Sequence, residues 1–451
     1  MLPFRRRTTV AICSLIALAT FTLSAKDRPN VILILADDIG FEGLSCYGSA
    51  SYHTPYLDRM ADQGVQFQNA HVLPICTPTR VSLMTGKYNS RNWLAFGILE
   101  PNIRHIGHWM TDAGYRTCIT GKWQLQSYNP PNFMPEWRDK GQRPEDAGFE
   151  DYFLWHTEHT EDKGSRYPDP RIQHNGKYLS NTEGKYGPDL FNNHALEFIE
   201  KHKDEPFFIY YPMALPHDPF QAPPHTEDWK VDRFKQDPKY YKDMVEYMDK
   251  MVGRVLNKLD ELELRENTLV IFLGDNGTPP QVTSKLVDGT VIPGGKAHNN
   301  LRGTHVPFII SYPEAQKAGS KHEGLVDCND VIPTIFEVCG IEPPAGEVFD
   351  GESLVEQIQG KPGTHRDWLF FHHDPLPGHG KNRFKLERWA IDRRWKVVES
   401  TGELFDIQAD PEETTPIDPE SSVAARVAYA KLTAVIDSFP TEYTPKPNRI
   451  D

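Results

Sequence analysis

The run Asn30 to Ala36 (NVILILA) constrains this chain more than any other stretch. A strand built from it has no polar face to show to water, so it must be buried on both sides. Similar apolar runs recur at 115–120, 206–211, 268–273 and 307–311. Between them lie segments such as 189–201 and 242–262, in which apolar residues return every three or four positions. Strands alternating with helices predict an α/β fold: a large central, mostly parallel mixed sheet flanked by helices. Ligands in such folds collect at the carboxyl ends of the strands. Beyond about residue 360 the pattern changes. Short strands are expected at 368–373, 389–392 and 395–400, then a helix near 422–439 and a Pro-rich tail from Pro440. That reads as a smaller C-terminal antiparallel sheet with a helix packed on it. A chain of 451 residues has room for both units. The expected division is a signal segment at 1–25, a catalytic domain at 26–360 and a smaller C-terminal subdomain at 361–451.

The first 25 residues have their own logic. Arg5, Arg6 and Arg7 precede an apolar run from Val10 to Leu23, which ends on Ser24-Ala25. That order of basic, apolar and small residues predicts a removable secretory signal, hence a periplasmic or secreted protein with no membrane attachment after cleavage. The formal net charge of −14 argues against nucleic acid as a partner. It also means that a polyanionic substrate needs a local basic pocket set against the bulk field. Of the six cysteines, Cys13 leaves with the signal. Cys46, Cys76, Cys118, Cys328 and Cys339 remain, an odd number that calls for a modified or reactive thiol.

The polar residues fall at the predicted strand ends. Asp37-Asp38 closes the first strand and Asp275-Asn276 ends the run at 268–273. Lys122 follows the run at 115–120, and His217 the run at 206–211. Oxygen-rich groups of this kind suit a hard cation such as calcium rather than zinc. Any one acidic pair reads equally well as a solvated turn, but two such pairs ending two buried strands do not. Cys76 opens Cys76-Thr77-Pro78-Thr79-Arg80, just ahead of a helix expected at 79–84. A helix N-terminus and an adjacent arginine both favour an anion beside the thiol. The bland alternative is a buried structural thiol or half of a disulfide.

At this point the chain resembles the formylglycine-dependent sulfatases of the alkaline phosphatase superfamily. The residues that carry the resemblance are Pro29-Asn30 through Asp37-Asp38, Cys76 through Arg80, Thr85-Gly86 and Gly121-Lys122-Trp123. Further along they are Gly274-Asp275-Asn276-Gly277, Gly294-Gly295-Lys296, the stretch 330–340, and Glu403-Leu404-Phe405-Asp406 with Asp410-Pro411. The resemblance implies an alkaline phosphatase-like sheet. Asp37, Asp38, Asp275, Asn276 and the modified side chain of Cys76 would hold calcium. A separate formylglycine-generating maturation enzyme would oxidise Cys76, which accounts for the odd thiol. Arg80, Lys122 and Lys296 would neutralise the sulfate, and His217 or Lys296 would protonate the leaving oxygen. A sulfated carbohydrate is the expected substrate, by analogy with the family.

Two departures stand out. The family usually carries a histidine two residues after the lysine, where this chain has Gln124. Glutamine can orient a nucleophile but cannot exchange a proton, so another group must act as base. After Lys296 the chain reads Leu301-Arg302-Gly303-Thr304-His305-Val306-Pro307, and Arg302 becomes a candidate for substrate contact. Two loops could add positive charge: 155–174 with His156, His159, Arg166 and His174, and 372–383 with His372, His373, His379, Lys381 and Arg383. A phosphodiester or phosphonate monoester hydrolase is the enzymatic alternative. A sulfated-glycan binding protein, impaired at Gln124, is the non-enzymatic one.

Overall fold

The computed structural model describes residues 28–128, 130–133, 135–314, 317–361 and 366–443. The expected signal segment at 1–25 and the tail beyond 443 lie outside the described residues. Among the described residues sixteen strands occur in chain order. They are β1 (Asn30–Ala36), β2 (Val65–His71), β3 (Arg116–Lys122), β4 (Asp151–Trp155), β5 (Ile172–His174), β6 (Lys177–Tyr178), β7 (Phe207–Pro212) and β8 (Thr268–Gly274). The others are β9 (Thr283–Lys285), β10 (Val291–Pro293), β11 (Phe308–Ser311), β12 (Ser320–Asp327), β13 (Leu369–His373), β14 (Glu387–Ile391), β15 (Trp395–Val398) and β16 (Leu404–Asp406).

Ten of them form one sheet in the order β12-β2-β11-β8-β1-β7-β3-β4-β5-β6. The central block β8-β1-β7-β3-β4 is parallel throughout. β11 runs antiparallel to both β8 and β2, which makes the sheet mixed. An apolar run fixes burial but not direction, so the expectation at 307–311 gave the strand and left its sense open. β1 is buried at every position. Val31, Leu33 and Leu35 pack into one core, and Ile32, Ile34 and Ala36 into the core on the other face. Each of its larger side chains contributes about 1.5–3 kcal/mol by leaving water. The helix Tyr240–Glu261 covers the second face with Met244, Met248, Met251, Val255 and Leu259, a stripe at helical spacing.

The first face is covered by the helices Cys76–Thr85, Ile106–Asp112 and Val331–Cys339. The first of these begins at Cys76, three residues before the expected start. Pro78 is tolerated there because the amides of a first turn have no acceptor inside the helix. β13–β16 form a separate antiparallel sheet in sequential order. Phe370, Ala390 and Val397 pack on the helix Val423–Asp437, while Phe371, Trp389 and Ile391 pack with Leu73 and Leu325 of the large unit. The fourth strand, Leu404–Asp406, was not expected from the sequence. Among the described residues no helix is long and apolar enough to cross a membrane, and all five cysteines are free.

Candidate active site

Parallel pairing of β1 with β8 puts Ala36 opposite Gly274. The next residues of the two strands, Asp37-Asp38 and Asp275-Asn276, therefore meet at the carboxyl edge although they are far apart in sequence. All four are almost fully buried. The Asp38 amide donates to Asp275 Oδ1 at 2.9 Å, and Asn276 Nδ2 donates to Asp38 Oδ1 at 2.8 Å. β3, one strand removed across β7, ends on Lys122, whose Nζ donates to both oxygens of Asp37 at 2.9 and 2.8 Å.

Cys76 is the first residue of its helix and is 3% exposed. One turn on, Arg80 lies between the two strand ends. Its Nε and Nη2 donate to Asp275 Oδ2 at 3.1 and 2.9 Å, and Nη2 stands 3.4 Å from Asp37 Oδ1. Lys296 arrives on a loop pinned by two backbone bonds, Lys296 N to Thr278 O and Ala297 N to Pro74 O. Its Nζ donates to Asp38 Oδ2 at 2.5 Å and lies 3.1 Å from His217 Nε2. The other ring nitrogen of His217 faces Asp218 Oδ1 at 2.5 Å. That network makes Nδ1 the protonated nitrogen and leaves Nε2 to accept from Lys296. Asp218, which sequence reasoning passed over, thus sets the His217 tautomer; its only sequence signal was adjacency.

The cluster is electrostatically tight. Burial opposes the charge on Asp37, but Lys122, His217, Arg80 and Arg166 together hold its carboxyl well below the usual range. Asp275 goes the other way: burial and the neighbouring Asp37 charge push it up to about 7. Burial would lower Lys296, yet Asp38, Cys76 and Asp37 keep it above the ordinary lysine value. Burial lowers His217 despite Asp38, which acts against the imidazolium form.

A hard cation fits this donor set. Three buried carboxylates converge with Asn276, whose Oδ1 is buried and has no partner among the described residues. One more positive charge there would relieve the repulsion that raises Asp275.

Gln124 continues beyond β3 in a left-handed conformation, its amide donating to His156 O at 3.1 Å. Its Oε1 and the Nδ1 of His156 are both buried without partners among the described residues. Arg166, a loop candidate, does reach the centre: Nη1 is 3.4 Å from Asp37 Oδ2 and the guanidinium stacks 4.0 Å from the Trp155 ring. The other histidines of that loop do not. His159 pairs with Asp139 and Asp162, and His174 with Asp151.

Two candidates for substrate contact, Arg302 and His372, need correction, while His373 borders the open cavity beside Lys296. Arg302 does not face the site; its guanidinium pairs with Glu412 at 2.6 Å, while its backbone packs where any side chain on Gly277 or Gly295 would collide. His372 and His373 sit inside β13, and burial pushes them down to about 4 and about 3, so neither supplies positive charge near neutral pH. Strand alternation also turns them to opposite faces, and only His373 borders the open cavity beside Lys296. Lys381 does reach the site. Its Nζ sits 4.2 Å from the Phe96 ring centroid and 5.9 Å from that of Tyr128.

Comparison with known proteins agrees with this geometry. Residues 29–341 match the family described as Sulfatase, and residues 300–436 match N-sulphoglucosamine sulphohydrolase, C-terminal. An arylsulfatase of Hemicentrotus pulcherrimus is 26% identical over 93% of this chain and 85% of its own length. An N-acetylgalactosamine-6-O-sulfatase of Bacteroides thetaiotaomicron is 26% identical over 92% of this chain and 94% of its own. The solved structure of Ps i-CgsB with k-i-k-neocarrahexaose superposes with a TM-score of 0.72 at 23% identity, covering 93% of this chain and 95% of that one.

Proposed function

The chain belongs to the sulfatase family and is a sulfuric ester hydrolase, and within that class we propose that it releases sulfate from a sulfated carbohydrate, using Cys76 after oxidation to formylglycine. The observation that carries the reading is Cys76 at the start of a buried helix, with Arg80 linking that helix to Asp37 and Asp275. One hydroxyl of the oxidised, hydrated side chain would attack sulfur as the alcohol departs with a proton; loss of the proton from the second hydroxyl would then expel sulfate and restore the aldehyde. Asp37, Asp38, Asp275 and Asn276 would hold calcium, which when bound would supply positive charge to the sulfate oxygens.

The remaining work falls to the chain's own side chains. Lys122, Lys296 and the buried Nη1 of Arg80, which has no hydrogen-bond partner among the described residues, meet the other sulfate oxygens. Lys296 carries a proton and hands it toward the leaving oxygen, directly or through His217 Nε2 at 3.1 Å. Gln124 orients the attacking hydroxyl through its unpartnered Oε1. The basic, apolar and small order of the first 25 residues supports export to the periplasm or beyond, and a maturation enzyme for Cys76 is the implied partner. The shift from the large sheet to the small one supports a division near residue 360.

The test is release of inorganic sulfate from a panel of sulfated oligosaccharides. The protein is calcium-loaded, conversion of Cys76 is verified by peptide mass, and Cys76→Ala is the control. Release that vanishes in the control is expected. Faster turnover of matched phosphate or phosphonate esters would move the protein to phosphorus chemistry. Binding without release by fully converted protein would make it a glycan-binding protein.

A further inference from the structure

The connection between β13 and β14 is contributed by the small sheet but docks on the large unit. Phe96 N donates to Pro377 O, and Trp93 Nε1 donates to Leu376 O at 2.8 Å. The loop thus forms the far wall of a cavity of about 530 Å³ that opens beside Lys296. Its near wall is the Lys296–Asn299 segment; its far wall includes Arg383, Phe384 and Lys385. The volume suits a saccharide unit.

Charge is what singles this cavity out. Lys381, Arg383 and Lys385 stand within five residues of one another, and among the described residues none makes an ion pair with a carboxylate. Lys381 rests against Phe96 and Tyr128, and Arg383 against Phe384 at 4.7 Å. The one acid on the lining, Glu387, is turned away and accepts from Ser400 Oγ at 2.7 Å. In a protein of net charge −14 such a cluster is a local basic patch, which attracts anions against the bulk field. Lys381 also lies close enough to Cys76, Lys296 and Arg383 for each to influence its ionisation, so it stands between the reacting centre and the cavity.

We propose that this cavity is a second anion subsite, in which Arg383 and Lys385 hold a sulfate or carboxylate group on the saccharide that carries the scissile ester, with Lys381 at the junction. This rests on the sulfatase reading above and narrows its substrate to saccharides with at least two acidic groups.

The experiment measures binding by calorimetry to calcium-loaded Cys76→Ala protein. Three matched oligosaccharides are compared: one with a single sulfate, one with two sulfates, and one with a sulfate and a uronate carboxylate. A preference of about tenfold for the dianionic ligands is expected, given charge-assisted contacts at a partly exposed site. Adding Arg383→Ser and Lys385→Ser should erase that preference, whereas Arg383→Lys with Lys385→Arg should keep it. Whichever dianionic ligand gains more tells sulfate from carboxylate. Equal affinity for mono- and dianionic ligands, or a preference that survives the double serine variant, overturns the subsite. A second measurement uses converted enzyme and reads the ratio of kcat/KM for dianionic over monoanionic substrates, which should fall about tenfold in the same variant. Absence of sulfate release from every substrate would instead break the sulfatase reading, and the binding comparison would still decide the subsite.

Discussion

Two clusters of cations border Lys296, and they are neutralised in opposite ways. At the carboxyl ends of β1 and β8, Arg80, Lys122, Arg166 and Lys296 each face an aspartate of the strand ends. On the β13–β14 loop, Lys381, Arg383 and Lys385 face none among the described residues. The first cluster is held rigid by its own charges and keeps its geometry whatever the substrate. The second waits for charge from outside. Chemistry and selectivity are thus placed on different units of the molecule.

The sharpest way to break this contrast is to disturb the balanced cluster. Asp275→Asn is expected to lower kcat by about 10²- to 10³-fold, because it removes a carboxylate oxygen proposed to hold calcium and loosens Arg80. Chelator should do the same to the native protein, and added calcium should restore the native protein but not the variant. A melting curve that rises with calcium only in the native protein would give the same answer without turnover.

Gln124 tests the boundary between orientation and proton transfer. Gln124→Ala should reduce kcat by about tenfold, the scale of lost orientation at one contact. Gln124→His should add a limb near pH 6.5 to the kcat profile, since imidazole titrates there and an amide does not. A profile unchanged by histidine would show that no proton passes at this position.

Salt probes the unbalanced cluster. Raising ionic strength from about 0.05 to 0.5 M should lower kcat/KM for a dianionic saccharide about fivefold, and that for a monosulfated one much less. The smallest effect is expected at Arg302. Arg302→Gln should cost under about 1 kcal/mol in a denaturant melt and leave substrate preference alone, because its partner Glu412 is half exposed. A change in preference would place Arg302 back at the substrate.

Much of this was legible in the sequence, for physical reasons. NVILILA permits only a strand buried on both faces, and the polar residues after such strands have nowhere to go but the carboxyl edge. The direction of β11 was not legible, because burial leaves strand sense undefined. Arg302 misled because an arginine beside Gly303 gives no sign of Glu412, which is distant in sequence. His372 misled because a histidine reads as polar in sequence, whereas inside β13 burial keeps it neutral. Lys381 was visible only as one basic residue among several. Its position depends on how the loop docks against Trp93 and Phe96, a contact that no local pattern encodes.

The place of β1 between β7 and β8 also sets an order of events. As the chain is made from its N-terminus, NVILILA emerges first but has no neighbours to pair with until Phe207–Pro212 and then Thr268–Gly274 have followed. The first half of the protein must wait, its apolar strand unpaired and the later cover of Cys76 still unbuilt. In the finished fold that thiol is 3% exposed and closed to another enzyme. On the proposed reading, a catalyst that oxidises it would have to act before the helix Cys76–Thr85 is packed against the sheet.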